Sequence, residues 1–172
     1  EFILYGSFAN TYKGHGTDRA LLGGLMGFGT DDVRIRDSFN IADERGIEYK
    51  FTPDSELTDI HPNTVDVCME DESGNRVVVR GESLGGGKVR IVKIDRVDID
   101  FSGEYSAIIL VHRDRPGVIA YITKILSEHN INIAFMKLYR ESKGNKAYTI
   151  IESDEMITLD INCLLYTSDA AD

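Results

Sequence analysis

The chain has 172 residues, 42% hydrophobic and 28% charged, which is enough for one domain or two small ones and typical of a soluble globular protein. Its 19 Lys and Arg against 29 Asp and Glu give a formal net charge of -10. That balance repels a phosphate backbone, and no local basic stripe reverses it, so nucleic-acid binding is disfavoured. No apolar run approaches the roughly 20 residues that span a bilayer, the first residues lack the order of a signal peptide, and a cytoplasmic protein is expected.

Cys68 and Cys163 stand in unrelated contexts and neither belongs to a CxxC pair. This suggests neither a disulfide framework nor a self-contained zinc or iron-sulfur site, and a metal would need ligands from elsewhere. The chain starts Glu-Phe-Ile-Leu-Tyr, without methionine and already in a strand-like run, so a fragment with an upstream segment is expected. Cys163 to Asp172, "CLLYTSDAAD", shows no periodicity, resembles a translated sequencing adapter, and is read as a non-native tail.

Phe2 to Tyr5 is predicted as a strand leading into Gly6-Ser7. Thr17 is predicted to cap a helix from about Asp18 to Met26, with Asp18 favourable in its first turn. Gly23-Gly24 inside that helix implies close packing against another backbone. A second helix is expected over about Asp37 to Arg45, closed by Gly46, with an extended segment from Glu48 to Phe51. From Thr64 the period becomes two: Val65, Val67 and Met69, a turn at Asp71 to Asn75, then Val77 and Val79, a hairpin. Val89 to Ile94 and Val97 to Phe101 add strands after Gly85-Gly86-Gly87. The first part therefore reads as α+β with an antiparallel sheet, and Phe101 to Glu104 is the expected boundary.

Beyond it, Tyr105 to Val111 is a strand with Ala107, Ile109 and Val111 on one face. Pro116 suits the first turn of a helix in which Ile119, Ile122 and Leu126 recur at helical spacing. Ile131 to Tyr139 and Ala147 to Glu152 are strands joined by a turn at Lys143 to Asn145. The order β-α-β-β opens a ferredoxin-like βαββαβ unit, expected to be truncated before its closing helix and strand.

Two glycine motifs fail on their spacing. Gly14-His15-Gly16 has Arg19 where a dinucleotide fingerprint needs its third glycine, and Gly81 to Lys88 has Gly87 where a phosphate loop needs lysine. His15 can be a plain loop histidine, but its setting favours a role. Glycines flank it, and the helix start at Thr17-Asp18 offers donors to a carboxylate, with Asp18 near enough in sequence to fix its tautomer. His61, His112 and His129 suit solvated or capping roles. Asp114-Arg-Pro-Gly-Val118 can be simple helix initiation, yet Gly117 leaves room for a ligand at backbone N–H groups.

"LYGSFANTYKGHGTDRALLGGLMGFGTDD" (Leu4 to Asp32) and "GESLGGGKVRIVKID" (Gly81 to Asp95) resemble the beta chain of iron-sulfur-dependent bacterial L-serine dehydratases. "LVHRDRPGVIAYITKILSEHNINIAFMKLYR" (Leu110 to Arg140) resembles an ACT domain, an amino-acid-sensing module that ends many such chains. The resemblance implies a serine dehydratase beta domain over 1–101 and an ACT domain over 105–157, with 163–172 outside both. It implies conversion of L-serine to pyruvate and ammonia without pyridoxal phosphate, using a [4Fe-4S] cluster whose ligands come from the alpha subunit and none from this chain. It further implies a catalytic His15 and a pocket shaped by Ser7, Gly14, Gly16, Thr17 and Asp18. A regulatory L-serine would sit near Asp114, Pro116, Gly117, Val118, Asn130, Asn132 and Ile133, with ACT-mediated dimerisation. The alternative from another class is a non-catalytic amino-acid-sensing protein, which would leave the Gly14 to Asp18 segment idle.

Overall fold

The computed structural model describes residues 1–57, 59–102 and 105–158. Gly103 and Glu104 of the expected boundary, and the tail from Cys163, lie outside the described residues. The chain forms two compact units, one from Glu1 to Lys88 and one from Val89 onward, and the fold class is α+β as expected.

In the first unit β1 (Phe2–Tyr5) enters α1 (Gly6–Thr11), followed by α2 (Thr17–Leu25), a 3-10 turn at Val33–Asp37, and α3 (Ser38–Glu44). Then come β2 (Phe51–Asp54), β3 (Thr64–Glu70) and β4 (Arg76–Gly85). The strands are ordered β2-β1-β3-β4. β1 pairs antiparallel with β3, Leu4 facing Val65, and β3 pairs antiparallel with β4, Val67 facing Val79. The β1–β2 pair, with Phe2 beside Phe51, runs parallel, a departure from an all-antiparallel sheet. The helical connection from α1 to α3 makes it possible, because a parallel neighbour needs a crossover.

The period of two places Phe2, Leu4, Val65 and Val67 on one face, against Tyr12, Leu22 and Ala42 from the helical layer. Phe2 and Phe51 stack with centroids 4.8 Å apart. Helix α2 starts one residue earlier than the capping rule suggests. Gly16, at φ 70°, is the N-cap and Thr17 is the first helical residue, because a left-handed cap is open to glycine without strain. Gly23 packs closely against side chains and not against the expected backbone, a Cβ there lying 3.0 Å from Ser38 Oγ and 3.3 Å from Ile35 and Phe28 side-chain carbons, whereas Gly24 faces nothing within 4 Å. The short α1 was not expected: its six residues carry too little periodicity to register.

Two helices end alike. After α2, Phe28 N–H donates to Gly23 O and Gly27 N–H to Gly24 O; after α3, Ile47 N–H donates to Ala42 O and Gly46 N–H to Asp43 O. In both the residue past the cap is a glycine with positive φ, the arrangement that satisfies the last carbonyls of a helix.

In the second unit β5 (Lys88–Ile94) and β6 (Val97–Phe101) form a hairpin. It is followed by β7 (Ser106–Arg113), α4 (Val118–Glu128), β8 (Ile133–Arg140) and β9 (Lys146–Ser153). The strand order β7-β9-β8 is antiparallel throughout, the β-α-β-β opening that the sequence predicts. Ile108, Leu110 and Ile151 meet Val118, Ile122, Ile125 and Leu126 of α4, so Ala107, Ile109 and Val111 form the face away from the helix. Pro116 stands before the helix rather than in its first turn: Gly117, at φ 92°, is the N-cap. On the helix-free face, Asp95 in the hairpin turn accepts from Tyr148 Oη at 2.7 Å and Lys146 Nζ at 3.3 Å. Lys137 Nζ donates to Asp100 O at 2.8 Å.

Candidate functional site

The candidate catalytic segment begins where β1 ends. Gly6 takes φ 54°, and this turn lets the next two amides point at one carbonyl. Ser7 N–H donates to Pro62 O at 2.6 Å and Phe8 N–H to the same oxygen at 3.3 Å. From there a ladder with four-residue steps runs to the histidine. Thr11 Oγ1 donates to Ser7 O at 2.8 Å, and His15 N–H donates to Thr11 O at 3.2 Å. Residues four apart on a helical path share a face, so Ser7 and His15, eight residues apart, are joined through Thr11.

His15 is exposed, and among the described residues its ring has no hydrogen-bond partner. Thr17 N–H closes the turn onto Tyr12 O at 3.0 Å. Asp18 Oδ1 accepts from the Arg19 amide at 2.8 Å, so that oxygen serves the first turn of α2 and not the His15 tautomer. Gly16 has the positive φ and nothing within 4 Å of a built Cβ, while Gly14 meets only Thr11 O at 3.8 Å. The loop is therefore uncrowded at both glycines that flank His15.

Sequence reasoning passed over His61. The loop before β3 brings it to this segment, since the Pro62 carbonyl that receives Ser7 and Phe8 belongs to the next residue. His61 Nδ1 accepts from Asn63 N–H at 3.3 Å, which puts the ring proton on Nε2 in the neutral form. A His-Pro pair ahead of a strand carries no signal of this; only the long-range contact with Ser7 does. His129 caps α4 as expected, its Nδ1 bonding Ile125 O at 2.8 Å. His112 is neither solvated nor capping: it is buried in β7 and bonds Arg113 O and Thr149 Oγ1, each at 2.8 Å, because its side of the strand faces the core.

The regulatory candidates fall into two groups at opposite ends of α4. At its start, Asp114 accepts from Arg140 Nη1 and from Gly144 N–H, each at 3.1 Å. The Gly144 amide first and the Arg140 guanidinium second hold its carboxyl below the usual range. Gly117 caps the helix and Val118 begins it. At its end, Asn130 takes φ 56°; its N–H donates to Ser127 O, and Ile131 N–H to Leu126 O. This is the same helix stop that the glycines provide after α2 and α3. Asn132 donates to Asp154 Oδ2 at 2.6 Å and its amide to Glu155 Oε2 at 2.7 Å, while Ile133 opens β8. An 11-residue helix is about 16 Å long, so one copy of the domain does not bring Asp114 and Asn132 together.

Comparison with known proteins accords with this layout. Residues 1–51 match the family described as serine dehydratase beta chain, and residues 105–161 match the ACT domain. The beta chain of L-serine dehydratase from Peptoniphilus asaccharolyticus is 41% identical over 158 residues, covering 92% of this chain and 71% of that one. The chain belongs to the serine dehydratase beta chain family. A probable L-serine dehydratase beta chain from Bacillus subtilis is 40% identical over 154 residues, 90% of this chain and 69% of that one. D-3-phosphoglycerate dehydrogenase of the same organism is 30% identical over 140 residues, which is 79% of this chain and 26% of that protein.

For a serine dehydratase beta chain, the question of the iron-sulfur cluster is one of donors. Among the described residues no group of three or more His, Cys, Asp or Glu could hold a metal ion. Cys68, the one cysteine among them, is half-buried, and burial pushes its thiol up, away from the thiolate a metal needs. The described residues therefore do not fit a cluster. No helix among them is long and apolar enough to cross a membrane.

Proposed function

We propose that this chain is the beta part of a cytoplasmic L-serine dehydratase, completing with an alpha chain the site that converts L-serine to pyruvate and ammonia. A [4Fe-4S] cluster, if used, is held by the alpha chain, and pyridoxal phosphate takes no part. The serine dehydratase function occupies residues 1–101 and the ACT function 105–157.

The observation that carries the reading is the ladder from Ser7 through Thr11 to an exposed His15 whose ring has no partner among the described residues. A ring left free beside small, open residues is available to a substrate. His15 receives the substrate carboxylate or moves a proton, and both roles require a ring not already committed to protein atoms. Ser7, Gly14, Gly16, Thr17 and Asp18 shape the pocket. His61, its Nε2–H left as donor, stands on the neighbouring loop. Fixing the amino acid in one orientation is the contribution such donors make to an elimination.

The ACT part binds L-serine between two copies, Asp114, Pro116, Gly117 and Val118 of one facing Asn130, Asn132 and Ile133 of the other. The helix length that separates the two groups within one domain supports this. Calorimetric titration of the intact beta chain with L-serine should give heat and a dimer; an absence of heat would count against it.

The enzyme reading is tested by anaerobic co-expression of the beta chain with an alpha chain, followed by a pyruvate assay on L-serine. Pyruvate formation that disappears with His15→Ala while the complex still assembles is the expected result. Normal turnover by His15→Ala would remove the histidine from the site.

A further inference from the structure

On the sheet face away from α1 to α3, three side chains form a largely buried polar network. Asp66 of β3 lies directly across from Arg80 of β4. Arg80 Nε donates to Asp66 Oδ1 and Arg80 Nη2 to Asp66 Oδ2, both at 2.6 Å, a two-pronged match of guanidinium and carboxylate. Tyr5 Oη donates to Asp66 Oδ2 at 2.9 Å and accepts from Arg80 Nη2 at 3.3 Å, and the guanidinium carbon sits 5.0 Å from the centre of the Tyr5 ring. Tyr5 and Asp66 are 5% and 7% exposed and the Arg80 side chain 23%, so the network is largely withdrawn from water and not a surface ion pair. Burial, with Asp66 second, pushes the Tyr5 phenol up to about 12, and it stays a donor at any physiological pH.

A buried ion pair adds little to stability over apolar side chains of similar size, and its best-attested use is to specify one arrangement. Here the arrangement specified is the end of β1. Tyr5 is the last residue of that strand, and the next two are Gly6, pressed against Pro62, and Ser7, bonded to it. We propose that Tyr5, Asp66 and Arg80 are positioning residues for the serine site. The network holds the end of β1 so that Ser7, and through Thr11 also His15, keep their places. The inference rests on the assignment of the Ser7 to His15 segment to that site.

The network touches no reacting atom, so its effect is on geometry, where a misplacement near 1 Å costs up to about 100-fold in rate. The test uses the assembled alpha–beta complex with Tyr5→Phe, which keeps shape and removes one hydroxyl, and Arg80→Lys, which keeps charge and removes the two-pronged match. Each should lower kcat about 10- to 100-fold with KM within about twofold. In a cycle with Ser7→Ala the losses should not multiply, because both changes act on one segment. Amide exchange at Ser7, Phe8 and His15 should quicken at least about tenfold in Tyr5→Phe, since each of these amides donates within the positioned segment. If the unaltered complex turns over serine and Tyr5→Phe matches it, or the losses multiply, the positioning role is overturned and the serine assignment stands. If the unaltered complex forms no pyruvate, the serine assignment fails and exchange decides alone: unchanged rates overturn the positioning role, and faster rates keep it for whatever the segment binds.

Discussion

Gly6 stands so close to Pro62 that a Cβ on Gly6 would lie 2.7 Å from the Pro62 carbonyl oxygen and 2.8 Å from its Cα. Both atoms are backbone and cannot rotate away. The φ of 54° adds a second objection to any side chain. Gly6→Ala is expected to cost about 1–2 kcal/mol for the left-handed backbone and about 1–3 kcal/mol for the overlap. The Ser7 and Phe8 bonds to Pro62 O would break first. Urea unfolding of the variant measures the loss, and serine turnover should fall with it.

His15→Ala should behave in the opposite way. The ring is exposed and has no partner among the described residues, so removing it is expected to change stability by less than about 0.5 kcal/mol. Turnover in the assembled enzyme should drop by about 100-fold or more, the usual worth of a proton-transfer group. A thermal melt beside a pyruvate assay separates the two effects. A variant that melts early and keeps its activity would mark His15 as structural.

Much of the fold was legible because apolar periodicity is a local signal. The alternation Val65, Val67, Met69 marks β3, and the helical recurrence of Ile122 and Leu126 marks α4, each close to its observed bounds. What escaped depends on distant contacts. The six residues of α1 hold no period, and its start is fixed by Pro62, more than 50 residues on. The parallel pairing of β2 with β1 is equally silent, since a strand's own sequence does not name its neighbour. At the site, the glycines around His15 suggested openness, and the structure shows it at Gly16. The link to Ser7 through Thr11 depends on a helix that sequence reasoning missed. The Tyr5, Asp66 and Arg80 network joins residues up to 75 positions apart, and alternation alone reads Asp66 and Arg80 as solvated residues on the polar side of a hairpin.

The raised Tyr5 phenol makes stability fall in alkali. Its ordinary value is 10.0 and its folded value about 12, so the folded state holds a proton that the unfolded state releases. Its contribution is fully present below pH 10 and is lost as pH rises toward 12. Tyr148, raised by burial and by its bond to Asp95, acts with the same sign. Unfolding free energy measured across this range should decline, and Tyr5→Phe should flatten the slope by removing the titrating group. An equal slope in the variant would show that the phenol is not buried against Asp66.

Thr149 and His112 offer a test confined to the second unit. His112 Nδ1 lies 2.8 Å from Arg113 O, a carbonyl that can only accept, so in the neutral ring Nδ1 carries the proton and Nε2 is an acceptor. Thr149 Oγ1, at 2.8 Å and fully buried, must then donate to it. Thr149→Val keeps the shape and leaves Nε2 buried without its partner, at a cost of about 1–3 kcal/mol. Thr149→Ser keeps the hydroxyl and should lose less, through packing alone. Chemical shifts of the His112 ring nitrogens, followed by NMR in the intact chain, report the bond directly. If Thr149→Val leaves both those shifts and the melting temperature unchanged, the hydroxyl does not donate to His112, and the strand is held by apolar packing alone.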